Sequence, residues 1–271
     1  MWEILLLPAL LLAWAPRAAF LSAAVAVALL AYQGLIAPLA VALLALMALV
    51  LYLRGRLTLS TPWSALSEIG LVAAILTLYL HHFPGFHNPL LLDKVRVGAH
   101  SAPFTLYANL DKALAPLLLL ALYPTLLRRP DAPRVPAWRY GALLLSLPAL
   151  LLLAVALGGL RIEPHWPHWL LTFSLLNLLF VSLPEEALFR GYLQQRLSAW
   201  FGPWVALLLA ALLFGLLHLA GGPLLVLFAT LAGGIYGLAW QWSGRLWVAV
   251  LFHFALNMLH LLFFTYPLYR P

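Results

Sequence analysis

Residues 140–159 read YGALLLSLPALLLLAVALGG, and this stretch decides the class of fold. It carries no charge, and about 20 residues rising 1.5 Å each cross the roughly 30 Å hydrocarbon core of a bilayer. Outward from it, apolar runs bounded by breakers or charges give further candidate helices. The full set is roughly 2–14, 18–33, 35–53, 64–82, 113–127, 140–159, 168–199, 203–219, 223–242 and 245–264. Hydrocarbon offers no partner for backbone amides, so each run must be helical. The expected fold is all-α, a polytopic transmembrane helical bundle of eight to ten membrane helices. The segment Met1–Pro16 has the length of a signal-peptide core, but Glu3 precedes it and Arg17 follows. That reverses a basic n-region, so the segment reads as a retained first membrane helix.

Composition excludes the soluble classes. Of 271 residues, 65% are hydrophobic and 8% charged, with a mean hydropathy of +1.00. A soluble domain carries about a quarter charged residues. The net charge is +7, from 15 Lys and Arg against 8 Asp and Glu. These basic residues stand singly or in short groups between apolar runs, which argues for topology and anionic lipid contact and against nucleic acid. With no cysteine, disulfides, thiol catalysis and thiolate metal sites are excluded. The expected partner on this ground is the lipid bilayer. The expected location is multi-pass in a membrane, a bacterial cell membrane.

Two connections are polar. His81 to Lys112 holds His81, His82, His87 and His100 with Asp93, Lys94, Arg96, Asp111 and Lys112, and the histidines are too irregularly spaced for a metal site. Arg128 to Arg139 holds four Arg and three Pro. With ten helices, the loops after odd-numbered ones carry Arg17, Arg54, Arg56, Arg128, Arg129, Arg134, Arg139, Arg190, Arg196 and Arg245. The opposite side carries Lys94, Arg96, Lys112, Arg161 and Arg270. Short basic loops mark the cytoplasm, so the odd loops are expected there.

The last hundred residues place ionisable groups inside apolar runs, where each costs several kcal/mol and reads as functional by default. In Pro184-Glu185-Glu186-Ala187-Leu188-Phe189-Arg190-Gly191, Glu186 and Arg190 are spaced i, i+4 and can pair. Glu185 points about 100° away, lacks that partner, and is free to serve as a general base or acid. The plain alternative is a structural Glu–Arg pair with a second Glu at the water interface. Phe214-Gly215-Leu216-Leu217-His218 holds a lone His, more often a packed residue than a catalyst. His253-Phe254-Ala255-Leu256-Asn257 puts His253 and Asn257 on one helical face, where helix-packing hydrogen bonds are the plain reading. His260 follows His253 by seven and shares its face.

In this order on membrane helices, Glu-Glu-x-x-x-Arg, Phe-x-x-x-His and His-x-x-x-Asn resemble the motif set of the CAAX prenyl protease and bacteriocin-processing family. The matching positions are Glu185, Glu186 and Arg190, then Phe214 and His218, then His253 and Asn257. The resemblance covers about residues 168–266. It implies two parts: N-terminal membrane helices over 1–160 with no recognisable motif, and a CAAX-protease-like catalytic core over 161–271. It further implies an intramembrane endopeptidase of glutamic type, whose partner is a membrane-associated peptide or protein substrate, lipidated or not. Glu185 and His218 activate a water, His253 and Asn257 hold the oxyanion, and Glu186 with Arg190 fixes the position of Glu185. Carboxylate and imidazole chemistry agrees, because such a pair can deprotonate water and aimed donors stabilise an oxyanion in a dry site. No cofactor is expected. The rival is a metalloprotease holding Zn²⁺ on His218, His253 and a Glu, with an open position for water.

Counted from the cytoplasmic helix ends, His253 lies roughly 12 Å deep and His218 roughly 22 Å. The two meet only if helix 203–219 starts outside the bilayer, tilts, or ends in a buried break at Gly221-Gly222. Two other classes compete. One is a catalytically silent membrane scaffold, opposed by the completeness of the three motifs. The other is a proton-coupled transporter using Glu185, Glu186, His218 and His253, opposed by the lack of internal repeats.

Overall fold

A computed structural model describes residues 1–58, 60–129, 131–133 and 135–270. Arg134, counted above among the cytoplasmic charges, lies outside them. The chain forms α1 (Trp2–Leu11), α2 (Pro16–Tyr32), α3 (Pro38–Arg56), α4 (Thr61–Tyr79), a hairpin of β1 (Leu90–Val95) and β2 (Phe104–Tyr107), and α5 (Leu110–Leu122). There follow α6 (Ala137–Ala156), α7 (Leu170–Phe201), α8 (Pro203–Leu216), α9 (Pro223–Ser243) and α10 (Leu246–Phe263). Every apolar run is thus a helix, and the all-α membrane bundle stands. Among the described residues six helices, α3, α4, α6, α7, α9 and α10, are long and apolar enough to cross a bilayer, while α1, α2 and α8 are shorter apolar helices. Eight to ten full spans is therefore slightly more than the lengths alone give.

Proline sets many helix starts. Pro16, Pro38, Pro62, Pro203 and Pro223 sit in first turns, where the missing N–H costs nothing and the fixed φ is already helical. For α2 and α4 this moves the start upstream of the apolar run. The hairpin in the connection after α4 was not anticipated. Its strands pair Leu90 with Tyr107, Leu92 with Leu106 and Val95 with Phe104, with irregular register between.

Side chains such as Leu145, Leu171 and Leu208 are about 70% exposed, which suits a hydrocarbon surround and would be an aggregation surface in water. Of the six spans α7 is the most enclosed, and it packs against α5, α8 and α10. The connections sort to two ends. At one, Arg128 bridges Arg245 and Arg129 donates its amide to the Gly244 carbonyl. At the other, Ser101 bridges Tyr269 and Ile162 bridges Phe264.

His218 and His253 line one cavity, and helix lengths account for it. The 32 residues of α7 reach up to roughly 48 Å, well past a core of roughly 30 Å. With the start of α7 at one edge of the hydrocarbon, a helix that long carries the turn at Gly202 (φ +78°), and with it the start of α8, past the other edge. Its 14 residues return only roughly 21 Å before the chain breaks at Gly222 (φ +90°). Both glycines adopt the left-handed region that other residues avoid.

Candidate active site

Glu185 stands 17 residues before Gly202 and His218 stands 16 after it. In an antiparallel pair of helices, positions equidistant from the turn lie at one level. Phe189 and Phe214 obey the same rule, with ring centroids 5.1 Å apart. Across the turn at Gly244, Tyr236 and His253 are again near-equidistant, and their rings stack at 4.6 Å and 10°. The three motifs therefore converge on one level of the bundle.

The local shape of α7 assists. Glu185 and Glu186 close a single α-helical turn, Leu183–Glu186, set between two wide-turned π segments, Asn177–Ser182 and Ala187–Gln194. Such segments are rare and frequent at functional sites. Here the wide spacing is used directly, since Oγ of Ser182 donates to Oδ1 of Asn177 five residues earlier, at 3.3 Å.

Glu186 and Arg190 are both wholly buried, and Nη1 of Arg190 donates to Oε1 of Glu186 at 3.0 Å. The same oxygen accepts from Nδ1–H of His253 at 2.8 Å. Nη2 of Arg190 donates to the Gly233 carbonyl at 2.8 Å, and the guanidinium lies 4.7 Å from the Phe214 ring centroid and 5.3 Å from that of Tyr236. A Cβ at residue 233 would stand 3.2 Å from that Nη2, so the absence of a side chain is what admits the contact. One turn on, Nε2 of Gln194 donates to the Gly237 carbonyl at 3.2 Å. Arg190 and Gln194 thus form a polar ladder onto Gly233 and Gly237.

Glu185 differs from expectation. It has a partner: Nζ of Lys112, from α5, donates to its Oε1 at 2.6 Å. The expectation of an unpaired carboxylate considered only its own helix, and Lys112 lies 73 residues away. Its other oxygen, Oε2, lies 3.9 Å from Nε2 of His253. Lys112, Arg190, Glu185 and Glu186 together balance to zero charge, which makes four ionised groups tolerable in a dry bundle.

His218 donates Nδ1–H to the Phe214 carbonyl at 2.9 Å, leaving the Nε2 lone pair free. Nδ2 of Asn257 donates to Oδ1 of Asn177 at 3.2 Å. His218, His253, Asn257 and His260 share the wall of a cavity of about 220 Å³. Its remaining wall is largely apolar and includes Leu150 and Ala154 of α6 and Leu224 and Phe228 of α9.

Donors left for a metal are Nε2 of His218, Nε2 of His253 and Oε2 of Glu185. Among the described residues no group of three or more acidic or imidazole side chains is arranged to hold one. The sequence reading did not place Lys112, Asn177, Tyr236 or Gly233 at the site. Asn177 carried a usable signal, since an amide in an apolar membrane run is the same kind of mark that singled out Glu185.

Residues 167–259 match the family model described as Type II CAAX prenyl endopeptidase Rce1-like. The match takes in all three motifs and leaves residues 1–166 and 260–271 outside it, so the resemblance is borne out over that stretch. No curated protein and no solved structure matches the chain.

Proposed function

We propose that the chain is an intramembrane endopeptidase of glutamic type, hydrolysing a peptide bond in a membrane-associated protein or leader peptide. The observation that carries this reading is the shared oxygen of Glu186. It ties Arg190 and His253 together while Glu185 stands 3.9 Å from the far nitrogen of that His. A merely structural Glu–Arg pair needs neither the imidazole nor the second carboxylate.

In the reaction, water is held between Oε2 of Glu185 and the free Nε2 of His218. Its oxygen attacks the scissile carbonyl carbon as its proton passes to Glu185 or His218. The carbonyl oxygen becomes an oxyanion held by His253 and by the second amide N–H of Asn257. When the carbon–nitrogen bond breaks, the proton taken from water goes to the leaving amine. His253 spends its Nδ1–H on Glu186, so it donates from Nε2 only as imidazolium, a cation that the two carboxylates flank. Glu186 plays the part of an orienting acid, fixing ring and tautomer as the Asp of a serine-protease triad does. Arg190 supplies the counter-charge that lets Glu186 stay buried. This chemistry is metal-free.

The test is proteomic. Membranes from cells expressing the wild-type protein are compared with membranes from cells expressing Glu185→Ala. A substrate whose cleaved fragment appears only with wild type supports the proposal, and identical fragment patterns in a well-expressed pair overturn it.

A further inference from the structure

The polar connection His81 to Lys112 lies outside the family match and ends beside the site. Lys112 is the third residue of α5, at the positive end of the helix dipole, where a cation is disfavoured. Its side chain is only 12% exposed, and burial of an ammonium is costly unless it is paired. The acid in the first turn of α5, Asp111, accepts from the Lys112 backbone amide at 2.8 Å. The ammonium itself is met by the Glu185 carboxylate, at 2.6 Å.

The start of α5 is fastened in place. Oδ1 of Asn88 accepts from the Leu110 amide at 2.8 Å, and Nδ2 of Asn88 donates to Oδ1 of Asp111 at 3.1 Å. Nδ1 of His81 lies 2.9 Å from the other oxygen of Asp111, which is 1% exposed. Two side chains from the preceding connection thus fix the turn that carries Lys112.

We propose that Lys112 is a positioning residue for Glu185, dividing the labour between its two oxygens. Oε1 is anchored by the ammonium, and this leaves Oε2 aimed toward His253 and the reacting water. The inference rests on the endopeptidase reading and extends the site into the N-terminal helices. A role in stability alone requires only a cation at 112. A positioning role requires the cation at one place, because a misplacement of about 1 Å can cost on the order of 10²-fold in rate.

The test uses the full-length protein in liposomes with the peptide substrate found by the proteomic comparison. In Lys112→Arg the charge and the melting temperature are retained, while kcat falls roughly 10–100-fold with KM within about twofold. Lys112→Met loses at least as much in kcat. Wild-type kcat in Lys112→Arg overturns the inference, and that variant decides even where Lys112→Met fails to fold. A wild-type protein that cleaves nothing refutes the endopeptidase reading instead, so the two failures are distinguishable.

Discussion

Glu186→Gln is the most informative perturbation of the buried network. Oε1 of Glu186 accepts from both Nη1 of Arg190, at 3.0 Å, and Nδ1 of His253, at 2.8 Å. Glutamine keeps an oxygen there and removes the charge. Arg190, wholly buried, then keeps the glutamine oxygen, the Gly233 carbonyl and aromatic rings around it but loses the carboxylate it was paired with. Breaking a buried pair by removing one partner costs about 3–5 kcal/mol. At about 2–4 °C per kcal/mol for a chain near this size, the expected fall in melting temperature is roughly 6–20 °C. Adding Arg190→Met should recover most of it, since an apolar residue in place of a buried pair is commonly neutral or better. Activity should not return, because His253 has still lost the charged acceptor that holds it. The assay is thermal unfolding in detergent beside peptide cleavage in liposomes. A Glu186→Gln protein melting within about 1 °C of wild type would refute the reasoning, as would a double variant no more stable than the single.

Gly233→Ala puts a methyl 3.1 Å from the Cα of Ala211 and 3.2 Å from Nη2 of Arg190. It should cost about 1–3 kcal/mol by overpacking, read as lowered melting temperature and activity together. At the opposite end from Arg128 and Arg245, partial burial opposes ionisation of Glu163. The His100 amide and Ser101 hydroxyl donate to it and hold its carboxyl below the usual carboxylate range. Its folded pKa being depressed, the contribution is complete above the unfolded value near about 4.3 and is lost as pH falls through the folded one. Glu163→Gln should therefore flatten the acid limb of the stability curve below about pH 4.3, and an unchanged limb would contradict the assignment. For metal, the purified protein should carry far less than one zinc per chain and cleave in the presence of chelator. About one zinc per chain, lost in His218→Ala and His253→Ala, would decide for the zinc rival.

Membrane class, helix count and the three motifs were legible because each rests on local pattern: apolar runs, or charges set into them. The turns were legible too, had the distances been counted. Gly202 and Gly244 are equidistant markers that pair Phe189 with Phe214 and Tyr236 with His253. Counting depth from each helix end instead left His218 and His253 about 10 Å apart, because it assumed that α8 starts at the membrane surface. The hairpin at Leu90–Tyr107 was missed because its run Leu90-Leu91-Leu92 has neither alternation nor β-branched residues. Lys112 could not be found by spacing, since the pairing crosses 73 residues and two helices whose packing no local pattern specifies. That missed contact also changes how Glu185→Gln must be controlled, because the substitution strands a buried ammonium.

The central claim is tested most directly by single-turnover cleavage in liposomes with wild type, Glu185→Gln, and Glu185→Gln combined with Lys112→Met. The double variant replaces the ion pair by neutral groups of similar size and should melt close to wild type, so its silence cannot be blamed on unfolding. The account expects both variants to show no cleavage above background. Cleavage within about tenfold of wild type by either one would contradict it, because a general base contributes typically about 10²–10⁴-fold and cannot be dispensable.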